Sequence, residues 1–196
     1  MKDNKLIWDD FRFGDEAAFK IIFETYHNPL FNYGHKFTAD DHVIQDALQN
    51  LFVKLWKNRS GIRETGSVKN YLYKSFRRVL LRMLETKHRK YEFSAQIEDT
   101  EWGARLESDQ AIVSRERLDA IRADLARAME KMSPRQREII HLRYYEEMEY
   151  DEIAVIMQLS VSSTYKLVYK AIDTLRNHLS RTDLFLLTIL LNLKKI

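Results

Sequence analysis

Apolar side chains return every three or four residues along most of this chain, and little interrupts them: 196 residues hold only 5 Gly and 2 Pro. That period draws an apolar stripe down a helix, whereas a half-buried strand needs strict alternation. The pattern predicts an all-α fold. Gly14-Asp15-Glu16 opens a helix expected to run to about Phe37, with Ala18, Ile21, Ile22, Tyr26, Leu30 and Tyr33 on its apolar side. Asp40 or Asp41 caps the next, whose broad stripe is Val43, Ala47, Leu48, Leu51, Phe52, Leu55 and Trp56. A polar connection over residues 58–67 leads to a third helix from Val68 to about Lys87, with Tyr71, Leu72, Phe76, Val79, Leu80 and Met83 inward. Three helices with short connections make a first helical domain, residues 1–91.

Beyond it, residues 92–111 are rich in Asp and Glu, with sparse, unperiodic apolar positions, and read as an acidic linker joining two helical domains. The second domain, 112–181, contains a strong helix start at Ser133-Pro134-Arg135-Gln136: a capping hydroxyl, Pro at the first helical position, and Gln three residues after the cap. That helix should reach about Glu147. Two more helices then follow around a tight turn. The first spans about Tyr150 to Met157, with Ile153, Ala154 and Met157 inward; Ser160 caps the second, whose inner positions are Val161, Thr164, Val168, Ala171, Ile172 and Leu175. Ser162, Ser163, Tyr165, Lys166, Tyr169 and Lys170 are left outward. This is the pattern of a helix-turn-helix, which lays its second helix in the DNA major groove. A plain helical hairpin with a solvated polar face fits the same residues.

Charge and composition narrow the class. Hydrophobic residues make up 45% and charged residues 31%, a globular balance, and Cys is absent, which excludes disulfides and thiolate metal sites. A net charge of +3 is too mild to name a nucleic-acid partner, so the placement of charge decides. Lys69, Lys74, Arg77, Arg78, Arg82 and Lys87 crowd the third helix, with Tyr73 beside them. Cations there neutralise phosphates, and an exposed aromatic stacks on unpaired bases. Helix-terminal cations that only complement the dipole explain Lys87 to Lys90 equally well. The N-terminus lacks the apolar core of a signal peptide, and the apolar tail, 182–196, is too short to span a bilayer, so no stable membrane insertion is expected.

Together the stretches GDEAAF (Gly14 to Phe19), IQDALQNLFVKLW (Ile44 to Trp56), VKNYLYKSFRRVLLRML (Val68 to Leu84), KMSPRQREIIHLRYYEEMEYDEIA (Lys131 to Ala154) and LSVSSTYKLVYKAIDTLR (Leu159 to Arg176) resemble a bacterial RNA polymerase sigma factor of the extracytoplasmic-function group. The resemblance implies a cytoplasmic, non-enzymatic subunit without cofactor, whose partners are core RNA polymerase, promoter DNA and an anti-sigma factor. It implies that Asp46, Gln49 and Asn50 dock on the polymerase clamp. Lys69, Asn70, Tyr73, Lys74, Arg77 and Arg78 would grip and open the −10 element, beside a base-holding loop at 58–67. Ser162, Ser163, Tyr165, Lys166, Tyr169 and Lys170 would read the −35 element. The chain departs from the family pattern at Asn50 (usually Glu), at Arg78 (often Asn) and at Glu149 (usually Ser or Thr, so a weak helix start is expected). Tyr165 and Tyr169 are bulkier than usual. The tail is expected to pack on the chain's own domains with some regulatory role.

Two other readings use different residues. Glu85-x-x-His88 and Glu138-x-x-His141 are the half-motifs of a helical di-iron site, but they lie in different domains. A stand-alone helix-turn-helix regulator would need only the second domain and leaves the basic, aromatic first domain unexplained.

Overall fold

The computed structural model describes residues 4–92 and 127–178, and these residues are helical with short connections. The linker from residue 93, the start of the second domain and the apolar tail lie outside the described residues. The chain divides into two compact units, one holding Met1–Thr100 and the other most of the remaining residues.

Among the described residues up to Glu92 there are four α-helices, not three. α1 (Asn4–Arg12) precedes the expected set and turns into α2 (Glu16–Gly34) through Gly14, whose φ of 98° is left-handed backbone that favours glycine. Asp15 caps α2, its Oδ1 accepting from the backbone N–H groups of Ala17 and Ala18 at 2.8 and 3.3 Å. Asp40, of the two candidates, caps α3 (Asp41–Lys57) through His42 and Val43. A 3-10 turn, Arg59–Gly61, begins the connection to α4, which runs past its expected end to span Val68–Glu92.

The core explains why α1 belongs. Trp8 and Phe11 are among the largest fully buried side chains, and their rings meet Tyr71 and Phe19 at centroid distances of 5.2 and 5.8 Å. Arg12 Nε donates to the Ile62 carbonyl at 2.7 Å, so α1 also straps the 58–67 connection. α2 and α3 cross so closely at Gly34 that a Cβ there would lie 2.6 Å from Ile44 Cγ2. Two expected inward positions are not inward: Ile21 is exposed on α2, and Val161 is exposed in the second unit.

The second unit contains α5 (Pro134–Ile140), which widens into a π turn over His141–Tyr145, then α6 (Tyr150–Met157) and α7 (Val161–His178). The expected long helix to Glu147 therefore ends earlier, with Glu147 at a φ of 55°. Ile139, Leu142, Ile153, Val168 and Ala171 are buried in its core. Among the described residues no helix is long and apolar enough to cross a membrane.

Candidate nucleic-acid interface

The helix-turn-helix is built from its caps inward. Ser160 Oγ accepts from the Ser163 N–H at 3.1 Å and donates to Ser163 Oγ at 2.8 Å, while Thr164 Oγ1 donates to the Ser160 carbonyl at 3.0 Å. Thr164 itself is wholly buried, which fixes the rotation of α7. The start of α6 is firmer than its Glu149 suggested. The Glu152 carboxylate accepts from the Glu149 N–H at 2.8 Å, and Arg143 Nη1 donates to the Met148 carbonyl at 2.8 Å and to Glu149 Oε1 at 3.2 Å. Burial works against the Arg143 charge, but Glu149 and Tyr150 together outweigh it and hold that guanidinium above its usual pKa.

Gln136 joins this motif to α5. Its Oε1 accepts from the Ser133 N–H at 2.8 Å, completing a capping box, while its Nε2 donates to Thr174 Oγ1 at 2.9 Å and to the Lys170 carbonyl at 3.3 Å. With α7 so held, Ser162, Ser163, Tyr165, Lys166, Tyr169 and Lys170 are all exposed on one side. All but Ser162 line an open hollow of about 590 Å³. Arg135 lines it too. No periodicity joins Arg135 to residues some thirty positions later; only the packing of α5 on α7 brings them together.

In the first unit, Asp46, Gln49 and Asn50 are exposed along α3, and Asn50 Nδ2 lies 3.9 Å from Met83 Sδ on α4. Gln49 borders an apolar groove of about 430 Å³ between α2 and α3, lined also by Phe19, Phe23, Phe52, Val53 and Trp56. On α4, Lys74, Arg78 and Arg82 are exposed, while Lys69, Asn70 and Arg77 are half-buried. Ser67 Oγ accepts from the Asn70 N–H at 3.2 Å.

Tyr73 is the correction. It is wholly buried, its ring 5.1 Å from that of Tyr33, and so offers no stacking face to an unpaired base. α4 packs on α1, α2 and α3 together, so its buried sector (Leu72, Tyr73, Phe76, Leu80) is turned from the stripe the period suggests. Lys87 is also drawn away from the basic face: its Nζ lies 2.6 Å from Asp40 Oδ2. The Lys87 hydrogen bond is the main reason the Asp40 carboxyl is held below its ordinary pKa.

Of the two Glu-x-x-His pairs, Glu85 is exposed on α4, and the His88 side chain lies outside the described residues. Glu138 and His141 are buried in the other unit, with His141 Nε2 3.3 Å from Glu146 Oε1 and its ring stacked on Tyr145. Among the described residues no cluster of three or more His, Cys, Asp or Glu is arranged to hold a metal ion. The di-iron reading is not favoured.

Comparison with known proteins agrees with this geometry. The model of sigma-70 region 2 matches residues 22–90 and that of sigma-70 region 4 matches residues 122–181, together about two thirds of the chain. The chain is 22% identical over 175 residues to the ECF RNA polymerase sigma factor SigW of Bacillus subtilis, covering 85% of this chain and 91% of that one. It is 24% identical to the RNA polymerase sigma-H factor of Pseudomonas aeruginosa, over 81% of this chain and 84% of that one. The fold is similar to that of the sigma factor RpoE of Bartonella quintana, solved with the anti-sigma factor NepR, with a TM-score of 0.64 and 18% identity over 81% of this chain and 94% of that one. The region matches, in the same order as the two helical units, identify the chain as a member of the sigma-70 family of RNA polymerase sigma factors, in its extracytoplasmic-function group.

Proposed function

We propose that this sigma factor acts as a dissociable, itself non-catalytic subunit that carries core RNA polymerase to a limited set of promoters, working in the cytoplasm without a cofactor. Asp46, Gln49 and Asn50 dock on the polymerase clamp. Lys69, Asn70, Lys74, Arg77 and Arg78 grip the −10 element as it opens. Ser162, Ser163, Tyr165, Lys166, Tyr169 and Lys170 read the −35 element, and Arg135 adds a phosphate contact at its edge. Tyr73 leaves the set of DNA contacts and serves the core. We place the domain limits at residues 1–91 before the acidic linker 92–111, and at 112–181 before the tail 182–196; the region matches, 22–90 and 122–181, fall within them.

One observation carries this reading. A single chain joins a region 2 match bearing exposed cations on α4 to a region 4 match whose α7 exposes two Lys and two Tyr beside Arg135. Cations supply affinity through phosphate neutralisation, and groups presented to base edges supply selectivity. An anti-sigma partner is in keeping with RpoE, whose structure was solved with one.

Run-off transcription with core polymerase, with the RNA 5′ ends sequenced, tests the proposal. Defined start sites preceded by shared −10 and −35 sequences are expected. Failure of the purified chain to associate with core polymerase overturns it. A stand-alone regulator would protect its site from nuclease without polymerase.

A further inference from the structure

The reading helix does not hold its aromatic surface alone. Tyr150, the first residue of α6, stacks on Tyr165 of α7 with ring centroids 3.9 Å apart and 21° between the planes. The Arg143 guanidinium carbon lies 4.8 Å from the Tyr150 ring centroid, and its Nη1 bonds to Met148 and Glu149 fix that guanidinium to the turn before α6. Tyr165 is still 53% exposed and Tyr169 68%, and both line the hollow that holds Lys166 and Arg135. A tyrosine standing alone on a helix must be ordered when DNA arrives. A ring already stacked against a neighbouring helix has lost that freedom beforehand, and preorganisation of this kind raises affinity for the one shape presented.

We infer that Tyr150 is a positioning residue for −35 recognition, holding Tyr165 so that the uncovered part of its ring packs against the 5-methyl group of a thymine. This rests on the −35 reading given above and adds to it a base feature and a residue outside α7. Thymine's methyl is the one apolar feature on the major-groove edges, and apolar side-chain surface is what recognises it. Lys166, Lys170 and Arg135 around the ring suit phosphates and acceptor atoms, which leaves the apolar contact to the tyrosine.

The test uses the full chain bound to core polymerase. That holoenzyme selects its preferred −35 sequence from duplex promoters randomised there. Each selected thymidine is then replaced by deoxyuridine, which removes only the methyl group. One position should show a loss of affinity of about threefold to fivefold, the scale of one buried methyl-sized group. Tyr150→Phe keeps the stacking face and should retain that discrimination; Tyr150→Ser should bring it close to unity. Tyr150→Leu, which keeps apolar bulk without a stacking face, gives the same answer if the Ser variant fails to fold. Lys166→Ala should weaken thymidine and deoxyuridine duplexes alike. Insensitivity to deoxyuridine at every position, or full discrimination in Tyr150→Leu, overturns the inference. Failure of the −35 reading itself looks different: no preferred −35 sequence emerges from the selection.

Discussion

Lys166 and Lys170 stand one turn apart on the exposed side of α7, and their ammonium groups can reach either bases or phosphates. Lys166→Ala and Lys170→Ala are each expected to weaken −35 binding, by about 1–3 kcal/mol where the lysine reads a base. Promoter affinity and run-off yield measure this, and full transcription from the double variant would count against that face. On α4 the exposed Arg78 and half-buried Arg77 are expected to act later. Arg77→Ala with Arg78→Ala should impair opening, followed by permanganate reactivity of unpaired thymines, more than it impairs closed-complex binding. Equal loss at both stages would mean plain phosphate contact. Most of these residues were legible because exposure of a polar residue follows from helical period. Tyr73 was not: its neighbours Leu72 and Lys74 point opposite ways, and only the packing of three helices around α4 decides which side an intervening aromatic joins. Arg135 and Tyr150 were missed for another reason, since each meets the reading helix from a different helix, through packing that no local pattern encodes.

Among the elements, α2 to α7 were visible in the period and the caps, α5 with its end set too late, and α1 was not. Ile7, Trp8 and Phe11 do fall at helical spacing, but nine residues give that spacing no second repeat. Trp8→Ala should cost about 3–5 kcal/mol, the range for truncating a buried large aromatic, read as a shifted midpoint in urea. A change under about 0.5 kcal/mol, the scale of a surface substitution, would mean α1 is only an attached arm. The start of α3 has its own signature. Asp40 caps the helix and pairs with Lys87, and its folded pKa lies below the unfolded value. The stabilisation is therefore complete above the ordinary carboxylate range and is lost as pH falls through the lowered Asp40 value. Both side chains are more than a third exposed, so solvent screening limits the pair to about 0.2–1 kcal/mol. Lys87→Met should flatten the acid side of the stability–pH curve of the wild-type chain; an unchanged curve would show that the pair contributes nothing in solution.

At the scale of the whole molecule, each unit closes a core of its own: Trp8, Phe11, Tyr33, Tyr73 and Phe76 in the first, Ile139, Leu142, Ile153 and Ala171 in the second. A fragment of residues 1–92 is accordingly expected to keep its helical circular dichroism and to melt cooperatively, and a broad, non-cooperative loss of signal would show that it needs the rest of the chain. The acidic stretch and the apolar tail were legible only as composition, and composition does not specify a packed arrangement. In α7, by contrast, the side chains that seat the helix (Thr164, Val168, Ala171, Leu175) and those turned to the outside share no positions. Descendants of such a gene can therefore exchange the outer set freely and acquire a new target sequence while the inner set keeps the protein intact. Duplicated copies within one genome can diverge into separate regulatory circuits by that route.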